Sequence, residues 1–136
     1  MNDPQRLLRN SLRANGAFST LSGLAFTLGS GAIAGAIGLT DPRVLLAVGA
    51  GLLGFAGFLF FLSSRPEIPT ATAMQIVWAD LAWVIGTVPL VALGLLNGTG
   101  TIAALAIADV VLVFAVLQYL GVRRVRRGRT PVAATS

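Results

Sequence analysis

Residues 44–64 read VLLAVGAGLLGFAGFLFFLSS, an unbroken apolar run closed by Arg43 at one end and Arg65 at the other. A helix needs roughly 20 such residues to cross the ~30 Å hydrocarbon core of a bilayer, so this stretch reads as a membrane span. The sequence from Ala14 to Thr40 is also uncharged. Ile68 to Val122 is apolar apart from Asp80 and Asp109, and the turn signal Asn97-Gly98-Thr99-Gly100 divides it. Four spans are therefore expected, at 17–39, 44–64, 70–96 and 101–122, forming one all-α integral membrane domain over residues 1–136 with four-helix-bundle architecture. The first apolar run exceeds the h-region of a cleaved signal peptide, so no cleavage is expected.

Composition agrees with this reading. Of 136 residues, 55% are hydrophobic and only 11% charged, against roughly 25% charged in an average soluble domain. Cysteine and histidine are absent, and all ten basic residues are arginine. Disulfide exchange, thiolate or imidazole metal sites, His-ligated haem and Ser-His-Asp or Cys-His triads are thereby excluded. Without lysine there is no Schiff-base chemistry. No metal and no cofactor is expected, and enzymatic activity ranks third among the functional readings.

Arg6, Arg9, Arg13, Arg65, Arg123, Arg124, Arg126, Arg127 and Arg129 flank the spans on one side, and Arg43 alone lies on the other. The arginine-rich side is expected to be cytoplasmic, with both termini inside and the chain in a bacterial inner membrane. Residues 3–13 carry Arg6, Arg9 and Arg13 on one face and Leu7, Leu8 and Leu12 away from it. They read either as a short amphipathic helix lying among anionic headgroups or as a cytoplasmic extension of the first span. The basic tail 123–136 is read as a topological anchor and not as a nucleic-acid site.

Shifting the sequence by 57 positions sets Gly23–Ser30 against Asp80–Thr87 and Thr40 against Asn97. This is either a tandem repeat of two helical hairpins, related by a pseudo-two-fold axis along the membrane normal, or chance matching in a Gly/Ala/Leu-rich chain. Small residues at helical spacing offer close packing surfaces: Gly31 and Gly35, then Ala47, Ala50, Gly51, Gly54 and Gly57, then Ala82 and Gly86, then Ala104 and Ala108.

Asp80 and Asp109 are the residues that demand a role. A carboxylate at mid-membrane costs at least ~2.5–3.5 kcal/mol and is a functional candidate by default. Counting along the spans places the two within ~5 Å of one height, so they are candidates for one shared chamber. No intramembrane cation faces them, so one or both are expected to be protonated at neutral pH, able to carry a proton or to bind an organic cation. Trp83 lies one turn from Asp80 on the same face and suits an apolar cation or a flat ring. The competing reading makes the acids neutral structural groups bonded to Ser19, Ser22, Gln75, Trp78 or a backbone carbonyl. The ligand- or proton-binding candidates are thus Asp80, Trp83, Asp109, Ser22 and Gln75.

The stretches Leu12-Arg-Ala-Asn-Gly-Ala-Phe-Ser-Thr-Leu-Ser-Gly-Leu24 and Ala79-Asp-Leu-Ala-Trp-Val84 resemble small bacterial four-helix membrane proteins, similar in layout to the DoxX-like group. The resemblance implies a four-helix protein of the inner membrane and no particular activity. Small multidrug transporters also have four short helices, but their essential acid resembles one in the first helix, where this chain has none. Two functions stay in competition. One is small-ligand binding or proton-coupled transport at Asp80, for an apolar or cationic molecule. The other is a non-catalytic component that binds lipid or a partner membrane protein, with a homo-oligomer as one form.

Overall fold

A computed structural model describes residues 3–128. All regular structure among them is helical: α1 Arg6–Leu28, α2 Ser30–Ile37, α3 Pro42–Ser63, α4 Thr70–Ala92 and α5 Gly98–Gly128. Three of these, α3, α4 and α5, are long and apolar enough to cross a membrane, and α1 with α2 forms a bent pair turning through 93°. Residues 129–136 of the basic tail, Arg129 included, lie outside the described residues.

Of the two readings of residues 3–13, the separate helix is not found and the extension of the first span is, since α1 runs without a break from Arg6 through Asn15 to Leu28. Leu8, Leu12, Asn15, Ser19 and Gly23 follow one another at spacings of three or four and are all buried, so one continuous face drives one continuous helix. The interruption falls later, at Gly29, inside the expected 17–39 span. The short α2 ends at Gly38 with φ of 80°, the left-handed conformation that glycine adopts without penalty. Likewise α4 stops at Ala92 and not at 96, followed by Gly94 with φ of 68°. It carries Pro89 within it.

α1 packs against α3 and α5, and α4 packs against α5. α2 lies against α3 and α5, whereas α3 and α4 have no α-carbons within 8 Å of each other. A two-fold repeat would match the α1–α5 interface with an α3–α4 interface, and the contacts do not reproduce that match. At the arginine-rich end, Leu8, Leu12, Leu59, Leu62, Ile68, Ala73, Ile76, Val122 and Val125 form the apolar core. There Arg9 donates to the carbonyls of Ser63, Arg65 (2.8 Å) and Pro66 (3.2 Å), capping the end of α3. The Gln5 side chain accepts from the Ile68 amide at 2.8 Å. At the opposite end Asn97 caps α5 by accepting from Gly100 N–H at 2.8 Å. The same residue donates from its side chain to Ala36 O (3.0 Å) and from its backbone to Ile37 O (2.9 Å).

The close helix crossings do not use the glycines expected from spacing. A Cβ built on Gly31, Gly35, Gly51, Gly54, Gly57 or Gly86 meets nothing within 4 Å. The crossings occur at Gly23 against Gly49, where a Cβ on Gly49 would lie 2.9 Å from the Thr27 backbone nitrogen, and at Gly121 against Leu8, where it would lie 2.7 Å from Cα. Gly49→Ala should accordingly destabilise by about 1–3 kcal/mol through overpacking. Gly54→Ala should be neutral or stabilising by up to about 1 kcal/mol, since a helix-interior glycine is replaced in open space. Melting temperatures of the two variants in one detergent check the contrast.

Candidate functional site

Three helices converge on Asp80. Its Oδ2 accepts from Asn15 Nδ2 of α1 at 2.9 Å and from Gln118 Nε2 of α5 at 2.6 Å. Asn15 Nδ2 also donates to Gln118 Oε1 at 3.1 Å, and Ser19 Oγ donates to Asn15 Oδ1 at 3.3 Å. Asp80, Asn15, Ser19 and Gln118 are all buried. The network holds Asp80 as acceptor through one oxygen only. Among the described residues no donor reaches Oδ1, which leaves that atom for a proton or for a molecule in the adjoining cavity.

That cavity has a volume of about 330 Å³, at the lower end for small-molecule sites. Asn15, Phe18, Ser19, Ser22 and Phe26 of α1 form one wall, and Val48, Gly51, Leu52 and Phe55 of α3 another. Ala79, Asp80 and Trp83 of α4 face Ile107 and Val111 of α5. Gly51 and Ala79 line the cavity while remaining exposed, so the mouth lies between α3 and α4, the pair of neighbours that do not pack. Beyond Trp83 a second cavity of about 200 Å³ continues to Ile33, Ile37, Leu39, Leu90 and Leu96. Phe26, Val48, Trp83 and Ile107 are walls of both.

Of the expected site residues, the structure brings together Asp80, Trp83 and Ser22. Gln75 is exposed and lies outside the cavity, as does Trp78 at 64% exposure. Asp109 is exposed on the outer face of α5. The bond from Gln118 to Asp80 sets the register of α5, and Asp109 then lies nine residues, or ~13 Å of helix rise, beyond the level of Asp80. The expectation of a shared chamber at one height is therefore corrected. Asn15 follows Arg13 by two residues (~3 Å) and Gln118 precedes Arg123 by five (~7.5 Å), so the network lies toward the arginine-rich end. The Thr87 hydroxyl donates to Trp83 O at 2.9 Å, within its own helix.

Asn15 and Gln118 were not among the expected site residues. One signal pointed to them: each is the only carboxamide in its apolar run, 14–40 and 101–122. In comparisons with known proteins, the chain matches no family model, no curated protein and no solved structure. Nothing in them bears on the layout resemblance to the DoxX-like group.

Removing either amide leaves Asp80 with one donor fewer in an apolar surround. Asn15→Leu and Gln118→Leu should each cost about 1–3 kcal/mol, while Gln75→Leu should stay within about 0.5 kcal/mol. Thermal melting of the three variants side by side tests whether the network carries stability.

Proposed function

We propose that this chain is a membrane-embedded binding protein for a small, lipid-soluble molecule bearing a hydrogen-bond donor, with Asp80 Oδ1 as the recognising atom. The observation that carries the reading is the pairing of a half-satisfied carboxylate with an apolar cavity whose mouth faces between α3 and α4. A molecule arriving through that mouth comes from the bilayer, because the arginine-rich end is plugged by the apolar core and α2 lies across the other. Oδ1 holds either a proton or the ligand's donor, and that exclusive choice is the minimal element of proton-coupled transport.

In this reading α1 and α2 together count as the fourth, broken span. The arginine-rich end faces the cytoplasm of a bacterial cell, where anionic lipid headgroups meet the arginines. Cysteines introduced singly at Asp41 and Gly98 should react with an impermeant thiol reagent in intact cells, and one at Glu67 should not. Labelling at Glu67 would reverse the orientation.

Binding is tested in phosphatidylcholine nanodiscs with octylamine as probe. Trp78→Phe leaves Trp83 as the only tryptophan, so its emission reports occupancy of the cavity. Asp80→Asn keeps the shape and the acceptor oxygen but removes the charge, and it should abolish the response without lowering the melting temperature. Where an ammonium must displace a proton from Oδ1, affinity should fall about tenfold per pH unit below the titration of Asp80 and flatten above it. Asp80→Asn should erase that slope. An unchanged response in Asp80→Asn would leave the acid as a structural group and favour the lipid- or partner-binding alternative.

A further inference from the structure

The two cavities differ in chemistry and share a boundary. The first holds the Asp80 network at its base. The second is almost wholly apolar: its polar side chains are Thr87, whose hydroxyl donates to Trp83 O, and Trp83, whose indole N–H can only donate. Phe26, Val48, Trp83 and Ile107 bound both, so a cavity with a polar foot and an apolar one lie side by side across these four side chains. α2 roofs the apolar cavity through Ile33 and Ile37. Asn97 pins that roof, and Gly100 packs directly on Ile37. No cationic residue lines either cavity, so an anionic head would meet Asp80 as a like charge.

Resting on the binding reading above, we propose that the ligand is a single-chain aliphatic amine. Its ammonium group donates to Asp80 Oδ1, and its alkyl chain passes Trp83 into the second cavity beneath α2. From Asp80 to Leu90, which lines the second cavity, α4 rises ten residues or ~15 Å, a distance that an extended chain of about ten carbons spans in passing Trp83 and Phe26. Bilayer hydrocarbon is as apolar as the cavity, so affinity referred to the membrane concentration of the amine does not climb with every methylene. It passes through a maximum at the length that fills the second cavity.

The experiment titrates butyl-, hexyl-, octyl-, decyl- and tetradecylamine into nanodiscs holding the full chain with Trp78→Phe, reading Trp83 emission against membrane concentration. The expected profile peaks near decylamine. Ala104→Phe, which fills part of the second cavity, should lower decylamine affinity at least tenfold while leaving hexylamine within twofold. Ala103→Leu on the same wall serves should Ala104→Phe not fold. Decanol and decanoate should bind at least tenfold more weakly than decylamine. A profile flat in chain length, or equal loss of both amines in Ala104→Phe, would overturn the placement of the chain. Equal binding of decanol would overturn the ammonium assignment. Both of those failures retain an Asp80-dependent response to amines, whereas no Asp80-dependent response at any length would remove the binding reading itself.

Discussion

The structure depends on giving donors to one carboxylate in an apolar surround. An acid there is tolerable only when hydrogen bonds replace those it loses with water, and no single neighbouring helix supplies both of the donors that Asp80 receives. Asn15 comes from α1 and Gln118 from α5, and the two amides also bond each other. α1 and α4 make no close backbone packing, so the Asn15 side chain is the polar reach between them. Because lipid tails compete equally for apolar side chains, such interhelical bonds weigh more in setting helix register than leucine contacts do.

Register set at that point propagates to both ends. Toward the arginines, Leu8 falls onto Gly121 and Arg9 reaches the carbonyls that close α3. Away from them, the chain bends at Gly29 and α2 turns across the bundle, where Asn97 joins its last carbonyls to the start of α5. α1 takes the central place, in contact with both α3 and α5, and the cost of that choice is an unfilled space between α3 and α4. The cavity is therefore a consequence of how the bundle closes around the polar network, and Trp83, half-buried, forms a wall of both chambers.

The helical class and apolar segments long enough to cross a membrane were legible before any coordinates, as was Asp80 as the acid to examine, because each follows from transfer energetics along the chain. A run of apolar residues has a length, and a carboxylate inside it has an expected cost. Asp109 met the same criterion and turned out to face outward, since a one-dimensional count assigns depth but not the rotation of a helix about its axis. Asn15 and Gln118 escaped for the converse reason: amides are cheap enough in an apolar run to draw no notice alone, and they became significant only by meeting a carboxylate. The glycines behaved alike, with Gly23, Gly49 and Gly121 at crossings while the more regularly spaced Gly51, Gly54 and Gly57 stayed clear.

By itself the sequence determined what is local and additive: the apolar segments, their helical state, the break at Asn97 ahead of α5, and the gathering of arginines at one end; Gly98–Gly100, expected as part of that turn, is the first turn of α5. Tertiary structure alone decided which face of each helix turns inward, that α2 turns through 93° from α1 at Gly29, and that α3 and α4 stand apart. Those are properties of pairs of segments far apart in the chain. Their energies depend on backbone approach and hydrogen-bond geometry within a fraction of an ångström, and no periodicity within a single segment encodes them.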